Sequence, residues 1–442
     1  MFFRTTQVLI HLGMLFSEVH DDDMAQTLMI DVTLGVDIGT SGLRIVARAR
    51  DGVLLAMSTA TFSLSAEKKQ NPMLWWQAVE AAFSNLKLDG LKVRALAIDG
   101  TSGTLVPIDH RGVPTAAASL YNDVADPAAV RLVASVAPQD TAALGSSSPL
   151  ARALKMTGLI VHQADWLVGQ FCGRYDVTDE NNALKTGYDP LNRKWPEWIS
   201  LTGFDLGRLP RVYPVGVKIG TISSACARQF GLPLDVALVT GTTDGCAAFL
   251  ASGAQTEGDG VTSLGTTLTL KLLSATPVFA PHYGIYSHRI GDRWLAGGAS
   301  NSGGRVLAQE FKPEDIERLT GLVDPQNPTG LDYYPLPEIG ERFPIHDSQL
   351  LPRMVPRPAD DEVYFQGLLE GIAAIEALGY QRLAELGATP LKSIRSAGGG
   401  AANEKWTAIR IRNLKVPALH AASEHAAMGA ARLAWWGLGH AD

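Results

Sequence analysis

The first sharp pattern in the chain is an apolar run, Val32-Thr33-Leu34-Gly35-Val36-Asp37-Ile38, which breaks at Gly39-Thr40-Ser41-Gly42 and resumes from Leu43 to Ala49. Runs of this length, punctuated by Gly, Thr and Ser, predict a buried strand, a tight turn and a second strand. Arg50-Asp51-Gly52 then supplies an Asp-Gly hairpin turn into a third strand, Val53 to Ser58. About 220 residues later the device returns: the run from Gly260 to Leu264 meets Gly265-Thr266-Thr267, and Leu268 to Leu273 follows. This is an internal repeat. Two further segments pair a strand with a helix. Ala237 to Thr243 reads as a buried strand entering Asp244-Gly245 and a small-residue helix, Cys246 to Ser252. Ile394 to Ala397 leads through Gly398-Gly399-Gly400-Ala401-Ala402-Asn403 into a helical pattern marked by Trp406, Ile409 and Ile411. Ahead of all this, the apolar stretch Val8 to Phe16 is interrupted by His11 and followed by Asp21-Asp22-Asp23, too short to span a bilayer and without a small-residue cleavage site. Residues 1–31 are therefore expected to be an extension outside the fold, with Met24 the start of the functional chain.

Length and composition turn these patterns into an architecture. The chain has 442 residues, 46% of them hydrophobic and 19% charged, with 44 Gly and 24 Pro. That describes an α/β protein with two domains and a cleft between them. A net charge of −7 without a Lys/Arg cluster gives no reason to expect nucleic acid or an anionic membrane as partner, so the expected partners are small molecules. Cys172, Cys226 and Cys246 are odd in number and far apart; they form neither a disulfide framework nor a metal clip, which points to a reducing, cytoplasmic setting. Cys246 reads as a small buried hydrophobe.

Chemistry enters at the turns. A carboxylate ending a strand beside Gly, Thr and Ser sets an acid next to exposed N–H groups and hydroxyls, which suits a phosphate and a hydrated Mg²⁺. Two such hairpins, one per domain, suit a nucleotide held between duplicated halves. The Gly398–Asn403 run lets a flat ring or ribose approach the backbone, and it is neither a Walker A motif nor a dinucleotide fingerprint. Asp244, at a strand's end and a helix's start, sits where α/β folds place functional groups, but Asp is equally a preferred helix N-cap; local sequence leaves both readings open.

In order and spacing, Asp37-Ile38-Gly39-Thr40-Ser41, Gly241-Thr242-Thr243-Asp244-Gly245, Ser263-Leu264-Gly265-Thr266-Thr267 and the Gly398–Asn403 run resemble the FGGY carbohydrate kinases. So do Gln70-Asn71-Pro72 with Trp75-Trp76, Tyr188-Asp189-Pro190 with Trp195, Pro214-Val215-Gly216 with Gly220, and Glu424 to Ala431, over residues 32–438. The resemblance implies two duplicated actin-like ATPase (ribonuclease H-like) domains, 32–236 with the sugar and first phosphate motif and 237–442 with the ATP site and base. It implies ATP as phosphoryl donor and Mg²⁺ on Asp37. ATP would lie against Thr40, Gly265, Thr266, Gly399, Gly400, Asn403 and Trp406. The acceptor would lie against Asp37, Ser41, Gly42, Leu43, Arg44, Ser102 and Asp244, with Asp244 as general base.

One departure bears on the acceptor. Where xylulose kinases carry a Met-His-Gln type segment, this chain has Ile98-Asp99-Gly100-Thr101-Ser102-Gly103-Thr104, and Leu120-Tyr121-Asn122-Asp123 replaces the usual Trp-x-Asp-x-Arg. These stretches, with Gln163 to Leu167, Gly330 to Glu341 and Leu378 to Arg382, are similar to the cyanobacterial and plant D-ribulose kinases. The expected reaction is phosphorylation of D-ribulose at its terminal hydroxyl. D-xylulose or a polyol is the alternative acceptor, and a non-catalytic sugar- and ATP-binding regulator or an ATP-driven conformational machine is the alternative class. A regulator has no need of Asp244, and no residues remain for a chaperone's peptide-binding domain. Oligomeric state is not legible.

Overall fold

A computed structural model describes residues 29–62 and 69–440. The extension expected over residues 1–31 lies outside the described residues except at its end, where the first strand already begins at Ile30.

Two six-stranded sheets carry the fold. The first contains β1 (Ile30–Ile38), β2 (Gly42–Ala49), β3 (Leu54–Thr61), β4 (Leu91–Gly100), β5 (Lys218–Thr221) and β6 (Ala237–Thr243), in the order β3-β2-β1-β4-β6-β5. The second contains β7 (Asp259–Leu264), β8 (Leu268–Ser274), β9 (His288–Ile290), β10 (Arg293–Ala299), β11 (Ser393–Ala397) and β12 (Ala418–Leu419), in the order β9-β10-β8-β7-β11-β12. Five strands correspond one to one. In each sheet a central strand pairs antiparallel with the next strand in sequence and parallel with a later one, β1 with β2 and β4, β7 with β8 and β11. The internal repeat read from the Gly-Thr turns is thus a repeat of topology.

The expected division at 236/237 falls inside the first sheet. β6 pairs in parallel with β4, so Ala237–Thr243 completes the first domain instead of opening the second. The two strands share one burial pattern: Leu96 and Ile98 with Leu238 join a core of large side chains, Ala95 and Ala97 with Ala237 and Val239 a second core on the opposite face. A strand's alternation requires this separation of faces.

Side-chain size decides what covers each face. Trp75, Trp76 and Phe83 of the helix Pro72–Asn85 and Phe171 of the helix Gln163–Cys172 pack on the large-residue face. Asn71 starts the first of these helices, accepting from Met73 N–H (3.0 Å), with Pro72 following. The opposite face is small: Thr33 and Gly35 on β1, Ala95 and Ala97 on β4. Here the C-terminal helix Ala426–Trp436 lies down on the sheet, with Thr33 Oγ1 donating to Ala431 O (2.7 Å) and Trp435 Nε1 to Arg48 O (3.2 Å). A Cβ on Gly35 would sit 1.9 Å from Ala427 O, so only glycine allows this approach. The last helix of the chain therefore belongs to the first domain. The second sheet packs on the 25-residue helix Asp361–Glu385, whose Phe365, Leu368, Leu369, Ile372 and Ile375 are buried.

Candidate active site

Beside the second sheet lies a cavity of about 900 Å³. Gly265 and Thr266 of the β7–β8 turn border it on one side and Gly399, Gly400, Asn403 and Trp406 on the other, so the cavity unites six residues that the sequence places about 130 positions apart. The local causes are explicit. Gly398 turns at φ +80°, a conformation that costs glycine little, and a Cβ there would touch Leu264 O at 3.0 Å. Asn403 caps the helix Glu404–Leu414, its Oδ1 accepting from Trp406 N–H (2.9 Å). Trp406 is buried and its indole N–H donates to Leu369 O (3.1 Å), so the ring forms the floor under Gly400 and presents only its apolar surface. Ile409 of that helix is buried and Ile411 is exposed.

Gly400 tests the floor. A Cβ there would come 2.6 Å from the Trp406 ring and 2.8 Å from Leu264 Cβ. Overpacking of this kind costs about 1–3 kcal/mol. Gly400→Ala should therefore weaken ADP binding by roughly tenfold or more while leaving sugar binding intact, as measured by calorimetric titration.

A second centre lies where three parallel strands of the first sheet end. Asp37 and Asp99 are register partners on β1 and β4, on the small-residue face, and Asp244 follows β6 as the first residue of the helix Asp244–Ala251. Asp99 is fully buried and its carboxyl shares a hydrogen bond with that of Asp37, while no nitrogen or hydroxyl donor reaches either of its oxygens. Burial first, and then the charge of Asp37 beside it, push its carboxyl well above the ordinary range. Asp37 is raised by burial, opposed by Asp99, Arg44 and His425. Asp244 is likewise raised by burial; Gly245 N–H donates to its Oδ1 (2.6 Å), and Lys185 and Lys271 oppose the shift from either side. The helix N-cap is Thr243 and not Asp244, which leaves Asp244 Oδ2 free of a capping role. Cys246 is buried, and burial raises its thiol, in keeping with a hydrophobic role.

Ser102 stands on the turn that links β4 to the strand Leu105–Ile108. The turn is anchored by its neighbours: Thr101 N–H and Oγ1 both donate to Gln163 Oε1 (3.0 and 2.7 Å), and Arg152 Nη2 donates to Gly103 O (2.6 Å). Ser102 Oγ is buried and bonded to nothing, its own backbone included. Of the other expected contacts, Thr40 and Ser41 are exposed at the β1–β2 turn, outside the 900 Å³ cavity. Gly42 closes that turn, accepting from Gly39 N–H (3.0 Å), and the Leu43 side chain is buried in the first core. Arg44 keeps its buried Nε without a partner beside Asp37.

Sequence reading passed over Asp99, Lys185, Lys271 and His288. Asp99 carried a signal, since β1, β4 and β6 each end in an acid. The other three come from separate elements and share no motif.

Residues 260–438 match the FGGY family of carbohydrate kinases, C-terminal domain. The chain is 24% identical to a xylulose kinase of Staphylococcus epidermidis, with 92% of this chain and 88% of that one covered. It is 24% identical to a xylulose kinase of Escherichia coli over 84% and 83%. Among solved structures, a xylulose kinase from Rhodospirillum rubrum superimposes with a TM-score of 0.81 at 19% identity (92% and 90% covered), and a glycerol kinase from Plasmodium falciparum with ADP at 0.79 and 15% (94% and 91%). The structural likeness shows the fold over both domains. Residues 260–438 thus match the C-terminal domain of the FGGY family of carbohydrate kinases, and the whole length shares the fold of these solved kinase structures.

Proposed function

We propose that the protein transfers the γ-phosphoryl group of ATP to the terminal hydroxyl of a ketopentose, D-ribulose in preference to D-xylulose. The observation that carries the kinase reading is the 900 Å³ cavity, which gathers the Gly-Thr turn and the triple-glycine segment over a tryptophan floor, as adenosine and its phosphates require. The β7–β8 hairpin at its edge continues into Lys271, whose side chain lies against Gly245, the neighbour of Asp244. Donor site and proposed base thus meet along one strand.

In this reading Asp244 takes the hydroxyl proton through Oδ2 while Oδ1 stays fixed on Gly245 N–H. Asp37, at the end of β1 beside the Gly39–Gly42 turn, would hold Mg²⁺ through a hard carboxylate oxygen; when bound the ion would supply positive charge that neutralises the phosphate oxygens. The described residues form no cluster of three or more metal-ligating side chains, and a cation carried by a nucleotide needs only one or two carboxylates.

The choice of D-ribulose rests on the unpaired Ser102 hydroxyl. The two ketoses differ at one carbon, and a site built to bond one hydroxyl leaves its own groups unpaired with the epimer, at about 1–3 kcal/mol per lost partner. The second reading is D-xylulose, the substrate in the names of several relatives. In the wild type kcat/KM should be higher for D-ribulose than for D-xylulose, and Ser102→Ala should narrow the gap by roughly tenfold. A wild-type preference for D-xylulose, or a preference unmoved by Ser102→Ala, removes the assignment and leaves the donor half standing.

A further inference from the structure

We propose that Lys185, Lys271 and His288 form one wall of the acceptor site and bind an sp² oxygen, the ketose carbonyl. The proposal deepens the kinase reading above and rests on it.

The three side chains arrive from both domains. Lys185 follows the short helix Glu180–Leu184 of the first domain; its Cδ is 3.7 Å from the position of a Cβ on Gly103, which places the stem alongside the Ser102 turn. Lys271 projects from β8 of the second domain, and its Cε and Nζ lie 3.3 and 3.4 Å from the position of a Cβ on Gly245. His288 opens β9, is 8% exposed, and has an Nε2 with no partner. Its imidazole lies 5.5 Å from Tyr286, over whose ring Lys185 Nζ stands at 5.6 Å. Both lysines bear on His288 and, together with burial, hold it neutral.

β9 is pinned in this position. Asn181 Nδ2 donates to Arg289 O (2.9 Å) and Arg289 N–H donates to Asn181 Oδ1 (2.9 Å), so a side chain of the first domain pairs with the strand as a neighbouring strand would. The same Nδ2 donates to Thr242 Oγ1 (2.9 Å), beside Asp244. The wall is thereby held in register with the strand that carries the proposed base.

The chemistry of its lysines is one-sided. Two ammonium groups are donors only, whereas the unpaired His288 Nε2 and Ser102 Oγ can each donate or accept. A ligand that meets the two ammonium groups must bring acceptors to them. A carbonyl oxygen offers two lone pairs and no proton, whereas an alditol hydroxyl at the same place brings a donor as well. A carboxylate shares the sp² oxygen chemistry, so a sugar acid is the other source to separate.

The test measures kcat/KM and calorimetric affinity for D-ribulose, ribitol and D-ribonate, with ADP present in the binding runs, in the wild type, Lys271→Met and Lys185→Met. The wall predicts that each variant loses about 10- to 100-fold for D-ribulose and less than about threefold for ribitol. Preference of the wild type for ribonate, lost in the variants, keeps the sp² oxygen and assigns it to a carboxylate. Equal losses for ketose and alditol would show that the lysines act on the phosphoryl group or on Asp244 and overturn the proposal, as would no loss at all. Calorimetry keeps the two readings apart: a wild type that binds D-ribulose through the lysines without turnover supports the wall and counts against the kinase reading alone.

Discussion

Asp244→Ala should still bind nucleotide and sugar and should lose at least about 10²-fold in kcat, the scale of general-base catalysis. The position is specific to the role. Asp244 stands at the junction of β6 and its helix, next to the two carboxylates that end β1 and β4, with Lys185 and Lys271 converging from opposite domains. Asp244→Asn separates proton transfer from support of the helix, because an amide oxygen can still accept from Gly245 N–H. Both variants are expected to fail alike in turnover and to melt close to wild type. Turnover near the wild-type rate in Asp244→Asn would take Asp244 out of the chemistry.

Arg410→Met should destabilise the protein by about 3–5 kcal/mol, seen as a lower urea midpoint. Arg410 and Glu376 are each about 1% exposed and joined by two bonds, Nε to Oε2 (2.6 Å) and Nη2 to Oε1 (2.7 Å). Removing the cation strands a buried carboxylate whose remaining partner is the Thr262 hydroxyl (2.5 Å). Replacing both partners by methionine should recover most of the loss, since the desolvation cost of the pair disappears with it. Thr262 Oγ1 keeps Tyr380 OH as a partner (3.0 Å) in that double variant. A double variant no better than Arg410→Met would mean that the pair contributes through packing. The pair also ties the long helix under the second sheet to the helix that carries Trp406, so Arg410→Met should weaken ADP binding as well.

What the sequence showed was what lies along it. The hairpin around Gly39–Gly42 and its echo around Gly265–Thr267 are local turns with local residue requirements, and they were legible. So was the strand-to-helix entry at Asp244. Three things were not. The domain boundary was misplaced because β6 looks like the start of a new unit in sequence, and only its pairing with β4 shows otherwise. Leu43 was given to the acceptor because the motif runs through it, whereas strand alternation turns its side chain into the core. The wall of Lys185, Lys271 and His288 has no sequence signature, since its members meet only when β9 is clamped by Asn181.

The helix Ala426–Trp436 has a consequence for how the chain is made. One face of the first sheet is covered by residues synthesised long after β1: roughly 390 residues separate β1 from that helix, on the order of 20–80 s at about 5–20 residues per second. Until residues 427–431 are made, Val46 and Ala251 lack Ala427, Met428 and Ala431, the partners that complete their cluster. The amino-terminal domain therefore cannot reach its native state on the ribosome ahead of the carboxy-terminal one. The second sheet and its long helix are completed by residues 259–419, ahead of the helix that the first sheet waits for.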